Sequence, residues 1–200
     1  MSALIYLAAD VPLPTVENPH ERLVSVKEAL ELCLEVPAFL LEDDSIDKDK
    51  PMILWTDRED ALDTDTGSVW DGDLDDDFSI VPMEKQEDIY SEKHYCARLA
   101  WSRYTKGRAG RLILYIRQLL EHTPSVEIWH IWMGASYPPP NIKRKKIQAK
   151  ELTEEIIEKL DAEDVFETAP LARTGAAFSD WGVENEDLAV GIQYCYEIVT

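Results

Sequence analysis

"VEIWHIWM", residues 126–133, is the stretch on which the fold turns. It is apolar at successive positions and rich in β-branched and aromatic residues, so neither face of a strand here suits water. It reads as a central strand. Just upstream, "GRLILYIRQLLEH" (110–122) places Leu112, Ile113, Ile116, Leu119 and Leu120 on one helical face. Before that, "KHYCARLAW" (93–101) puts Tyr95, Ala97, Leu99 and Trp101 on one side of a half-buried strand, with a helix as the competing reading. Downstream, Gly134 and "YPPP" (137–140) make a stiff loop. "IKRKKIQA" (142–149) reads as an edge strand guarded by lysines. Thr153 is placed to cap "EEIIEKL", with Glu154 and Glu155 against the positive end of the helix dipole. "LAVGIQYCYEIV" (188–199) alternates strictly, so Val190, Ile192, Tyr194, Tyr196 and Ile198 share a face.

Residues 93–199 therefore run strand, helix, strand, strand, helix, strand, the ferredoxin-like βαββαβ order. The expected fold class is α+β: a mixed, mainly antiparallel sheet with helices on one face. The N-terminal part adds a strand at 3–9, a proline-broken connection (Pro12, Pro14, Pro19) and a helix in "SVKEALELCLEVP". Ser25 and Glu28 have capping-box spacing there. Val26, Ala29, Leu30, Cys33 and Leu34 form its apolar face, and Pro37 closes it. "PMILW" (51–55) and "FSIVPM" (78–83) read as further strands. We expect one α+β domain, with 1–77 a strand–helix–strand extension and 78–200 the main sheet.

The formal charge is −20, from forty acids against twenty bases, and 45% of the 200 residues are hydrophobic. That is enough apolar material for a core. The charge repels nucleic acids and anionic membranes and attracts basic partners. Asp10 ends the first apolar run too early for a secretory signal, and no stretch nears the roughly 20 apolar residues of a membrane span. Three scattered cysteines, Cys33, Cys96 and Cys195, argue against a disulfide framework and for a reducing cytoplasm.

Fourteen acids fall after Glu42 and before Phe78, against three bases. "SVWDGDLDDDF" (68–78) is the densest part, and Asp57–Asp77 reads as a long surface loop. It fails the calcium-loop pattern in both registers. Counting from Asp63 puts Gly67 one place early and Leu74 at the last ligand position; counting from Asp71 puts Asp76 where the glycine belongs. The alternative is an interface anchor: Trp70 ringed by Asp71, Asp73, Asp75, Asp76 and Asp77, with Trp181 repeating the theme in "FSDWGVENED" (178–187). Opposing it is the plain packing of each indole onto the core.

"YTKGRAGRL" (104–112) lies in a segment, Arg98 to Arg117, with six bases and no acid. Lys106, Gly107, Arg108, Gly110 and Arg111 precede a helix, where free amides favour an anion. The rival explanation is that this basic face answers the chain's own acids. His94 and Cys96 share a strand face without a third, orienting group, and Glu127 and His130 point to opposite faces of a strand. No zinc spacing and no hydrolase, metalloprotease or dinucleotide motif occurs, so no metal or cofactor is expected. The reading is a cytoplasmic, non-enzymatic acidic module that captures a basic protein partner, as a bacterial immunity protein does. An anion or small-molecule module built on Gly107–Arg111, or an enzyme with scattered residues, is the alternative.

Overall fold

The structure, a computed structural model, describes residues 2–43, 45–56, 61–62, 69–70, 74–84, 89–101, 103–133, 141–163, 165, 168–170 and 189–200. The elements, in chain order, begin with strand β1 (Ser2–Ala9), strand β2 (Glu21–Val24), helix α1 (Val26–Glu31), helix α2 (Ala38–Glu42) and strand β3 (Ile53–Thr56). Strands β4 (Ala61–Leu62), β5 (Val69–Trp70), β6 (Ser79–Met83) and β7 (Tyr95–Ala100) come next. Helix α3 (Lys106–Leu120), strands β8 (Ser125–Met133) and β9 (Asn141–Gln148), helix α4 (Glu154–Asp161), and strands β10 (Thr168–Pro170) and β11 (Ala189–Val199) complete the order. Two compact units result: residues 1–17 with 78–200, and residues 18–77.

The larger unit is built on one mixed sheet in the order β9-β11-β8-β1-β7-β6, with β10 pairing the start of β11. Among the described residues only the β9–β11 pairing is parallel. β8 is central, pairing β1 on one side and β11 on the other. The spatial order is not the ferredoxin-like one expected for 93–199. β1 enters between β7 and β8, because it too is apolar on both faces and needs a neighbour on each side.

Strand alternation divides the core. Leu7, Ala9, Ala97, Leu99, Val126, Ile128, Ile192, Tyr194, Tyr196 and Ile198 are buried with Leu112, Ile113, Ile116, Leu119 and Leu120 of α3 and Ile157 and Leu160 of α4. The stripe read from 110–122 is thus the stripe that packs. Leu4, Tyr6, Ala8, Cys96, Trp129, Ile131 and Cys195, the intervening positions, form a second cluster joined by Met83, Ile89, Tyr90 and Ile142. β9 is largely exposed, as an edge strand guarded by lysines should be. Lys143 and Lys145 lay their ammonium groups over the Tyr194 and Tyr196 rings, each at 5.3 Å. Thr153 holds the N-cap position of α4, but its side chain makes no capping bond.

In the smaller unit the Ser25 hydroxyl accepts from the Glu28 amide at 3.1 Å, as the capping spacing implies. α1 ends earlier than Pro37. Cys33 takes a left-handed φ of 56°, its amide donates to the Leu30 carbonyl and that of Leu34 to the Ala29 carbonyl, the bonding of a Schellman cap. The expected apolar face is correspondingly cut short: Val26 and Ala29 are buried, while Leu30 and Cys33 are exposed. "PMILW" does form a strand, but β3 pairs with β2 as a separate two-stranded ribbon.

Candidate functional site

Charge is distributed unevenly between the units. Residues 18–77 hold nineteen of the forty acids and five of the twenty bases, a formal −14, leaving only −6 for the other 140 residues. Three of those five bases are already engaged: Arg22 with Glu28, Lys27 with Asp49 at 2.6 Å, and Lys48 with the Leu41 carbonyl at 2.6 Å. Glu31, Glu35, Glu42, Asp43, Asp47 and Asp75 are exposed.

The β2–β3 ribbon supplies an apolar surface within this field. Arg22 faces Trp55, its guanidinium 4.9 Å from the ring centroid, and Val24 faces Ile53. Val24 is fully buried, and α1 packs against β3. Alternation sends the next pair to the opposite face. Leu23 lies directly across from Leu54, and the two are 57% and 63% exposed. A two-stranded ribbon covered on one side leaves such a pair in water. Phe39, Leu30, Leu32 and Leu41 of the same unit are exposed as well. Sequence reasoning missed this surface because β2 is only four residues long and lacks a strong strand signal.

The residues named from the acidic stretch divide. Asp77 is 1% exposed and accepts from the Asn18 side-chain amide at 2.8 Å. Asp76 meets His20 Nε2 at 2.9 Å. Asp75 is exposed. The run therefore folds its last two carboxylates onto its own unit. Trp70 lies in β5 with its backbone opposite Ala61; its side chain, Asp71, Asp73 and Trp181 lie outside the described residues, as does the 134–140 loop.

The glycine turn is part of α3. Thr105 caps that helix, its hydroxyl accepting from the Arg108 amide at 3.2 Å. Lys106 and Arg111 are exposed, Gly107 and Gly110 half-buried. Arg108 is fully buried, and its guanidinium donates to the Arg103 carbonyl at 3.0 Å. Arg108 therefore fixes the segment before α3 and does not point outward.

A cleft of about 260 Å³ opens in the larger unit, lined in part by Ile5, Arg98, Trp101, Arg103, His130 and Asp161. It begins where β1 and β7 part company, since their register runs from Ala9–Tyr95 to Ile5–Leu99. His130, 7% exposed, is held at Nδ1 by the Leu160 carbonyl at 3.0 Å. A carbonyl only accepts, so Nδ1 carries the proton and Nε2 keeps the lone pair in the neutral ring. Asp161 accepts from the Trp101 indole N–H at 3.0 Å. Nothing in the sequence joins Trp101 to Asp161, which lie 60 positions apart.

Burial holds the Asp161 carboxyl above the usual carboxylate range, opposed by the Trp101 hydrogen bond and the nearby His130. A carboxyl raised in the folded state contributes its full stability below its unfolded pKa, and loses it as pH rises through the folded value. Asp161→Asn keeps an acceptor for Trp101 and removes that penalty. Its melting temperature is expected to match or exceed the parent's at neutral pH, with a flatter profile from the ordinary carboxylate range of about pH 4 upward. A thermal melt series across that range checks this.

The second core cluster surrounds a buried carboxylate. Glu127 accepts from Ser91 Oγ at 2.6 Å, Trp129 Nε1 at 2.8 Å and Arg144 Nη1 at 3.3 Å. The Arg144 guanidinium also lies 4.8 Å over the Trp129 ring, which stacks on Tyr6. Burial, reinforced by Glu127, pushes the Cys195 thiol up to about 12, which keeps it protonated and inert. His94 finds the orienting group that the sequence could not supply, Asp10 at 3.1 Å, but Cys96 is packed in the core cluster while the His94 side chain is exposed. Among the described residues no group of three His, Cys, Asp or Glu side chains is placed to hold a metal. No described helix is long and apolar enough to cross a membrane. No family model, curated protein or solved structure matches the chain.

Proposed function

We propose that the chain is a cytoplasmic, non-enzymatic module that captures a basic protein, as a bacterial immunity protein does, through residues 18–77. The observation that carries this reading is the Leu23–Leu54 pair, more than half exposed on a unit of formal charge −14. Apolar anchors provide the desolvated centre of an interface, and surrounding carboxylates steer a cationic partner toward it. Trp70, Asp71, Asp73 and Asp75 belong to the same reading as further contacts, argued from the sequence; Trp181 lies outside residues 18–77. Asp76 and Asp77 contribute less, being paired with His20 and Asn18.

The immobilised chain is exposed to extract from its source cell at low salt, and bound basic proteins are eluted by rising salt. Rates are then measured on the recovered partner. Leu23→Ala with Leu54→Ala is expected to speed dissociation about tenfold or more with little change in association. Replacing Glu35 and Glu42 by Gln, and Asp43 and Asp47 by Asn, is expected to slow association about tenfold at low salt, the difference vanishing at high salt. Parent-like rates in both variants would overturn the assignment.

A further inference from the structure

We propose that the outer edge of β9 takes up an extended acidic segment of a partner protein as an added strand, bonded main chain to main chain. This rests on no part of the docking reading, since β9 lies outside 18–77.

Three observations converge. The first is an open ladder. Among the described residues β9 pairs with β11 alone, and its backbone makes no hydrogen bond outside that pairing. Alternate residues of a strand turn their N–H and C=O groups to opposite sides. Every second residue of Asn141–Gln148 therefore offers a donor and an acceptor to a further strand.

The second is how little protects this edge. Sheet edges are blunted by short strands, prolines, bulges or overhanging charges. β9 is eight residues long, holds no proline and keeps an unbroken register with residues 192–199. Its cations remain, but all four lean back over the sheet. Lys143 and Lys145 lie over the Tyr194 and Tyr196 rings, Arg144 reaches Glu127 and the Trp129 ring, and Lys146 Nζ approaches Glu197 at 3.9 Å. The backbone edge itself is left uncovered by these side chains.

The third is charge. Residues 142–150 hold five of the chain's twenty bases and no acid. Lys143 and Lys145 stand on one face of the sheet, Arg144 and Lys146 on the other, and all four are exposed. Carboxylates on successive residues of an added strand thus meet a cation on either face. A second copy's β9 would set lysine against lysine, which opposes pairing. A nucleic-acid backbone has no N–H groups to give the ladder, and the net charge of −20 repels it. An acidic β-strand satisfies both the ladder and the cations.

The full chain, labelled with ¹⁵N, is titrated at low salt with a capped peptide of glutamate, valine and threonine, with its lysine-for-glutamate counterpart, and with oligodeoxythymidine. Saturating binding of the acidic peptide is expected, with slowed hydrogen exchange at every second amide of 141–148 and loss of binding as salt rises. Lys143→Gln with Lys145→Gln is expected to weaken it about fivefold, the worth of two exposed ion pairs. Arg111→Gln, on α3, is expected to change nothing. The parent titrations decide the question even where the double variant fails to fold. No binding, binding that protects no β9 amide, equal binding of the lysine peptide, or tighter binding of oligodeoxythymidine overturns the proposal. So does protection that grows with protein concentration alone, which would assign the edge to a second copy.

Discussion

Trp129→Ala is expected to cost the fold about 3–5 kcal/mol, the range for deleting a fully buried large aromatic. Trp129 stands in the central strand and has no exposed surface. Its ring stacks on Tyr6 at 5.7 Å with planes 5° apart, and the Arg144 guanidinium covers it at 4.8 Å. Truncation opens a cavity between two paired strands whose backbones hold their spacing, so neighbours cannot collapse into it. Chemical unfolding, monitored by circular dichroism, measures the loss as a lower midpoint at unchanged slope. A loss under about 1 kcal/mol would mean that this cluster is not a packed core, since that is the range of ordinary surface changes.

Glu127→Ala is expected to cost a similar amount, about 3–5 kcal/mol, for a different reason. Three donors converge on this carboxylate, from Ser91, Trp129 and Arg144. Removing it strands the indole N–H in the core and leaves Arg144 without its anion. Glu127→Gln keeps an acceptor oxygen and is expected to lose less. The effects couple through the Trp129–Glu127 bond. In a cycle of Trp129→Phe and Glu127→Gln, the double variant should fall short of the sum by about 0.5 kcal/mol or more. Strict additivity would show that the hydrogen bond contributes nothing.

Much of the fold was legible. The stripe at 112, 113, 116, 119 and 120 and the alternation through 192–198 both became core, because their periods match the geometry of helix and strand. Pairing order was not legible. β1 and β8 look alike in a one-dimensional pattern, and only assembly shows that they are neighbours with β7 beyond. The acidic run was plain as composition, yet its partners His20 and Asn18 stand 56 and 59 residues away. The same limit applied to basic residues: Arg108 and Arg111 have one charge type and sit three positions apart, but one faces the core and the other water.

By itself, the sequence determined the α+β class, the strand and helix faces, and the concentration of negative charge in the first eighty residues. These follow from local period and composition, which need no knowledge of distant neighbours. Tertiary structure decided that β1 joins the centre of the sheet, that Leu23 and Leu54 meet on an open ribbon face, and that His130, Asp161 and Arg103 share a cleft. Each of these is a contact between residues far apart in the chain. Such contacts are set by which surfaces bury together, and no single segment carries that information.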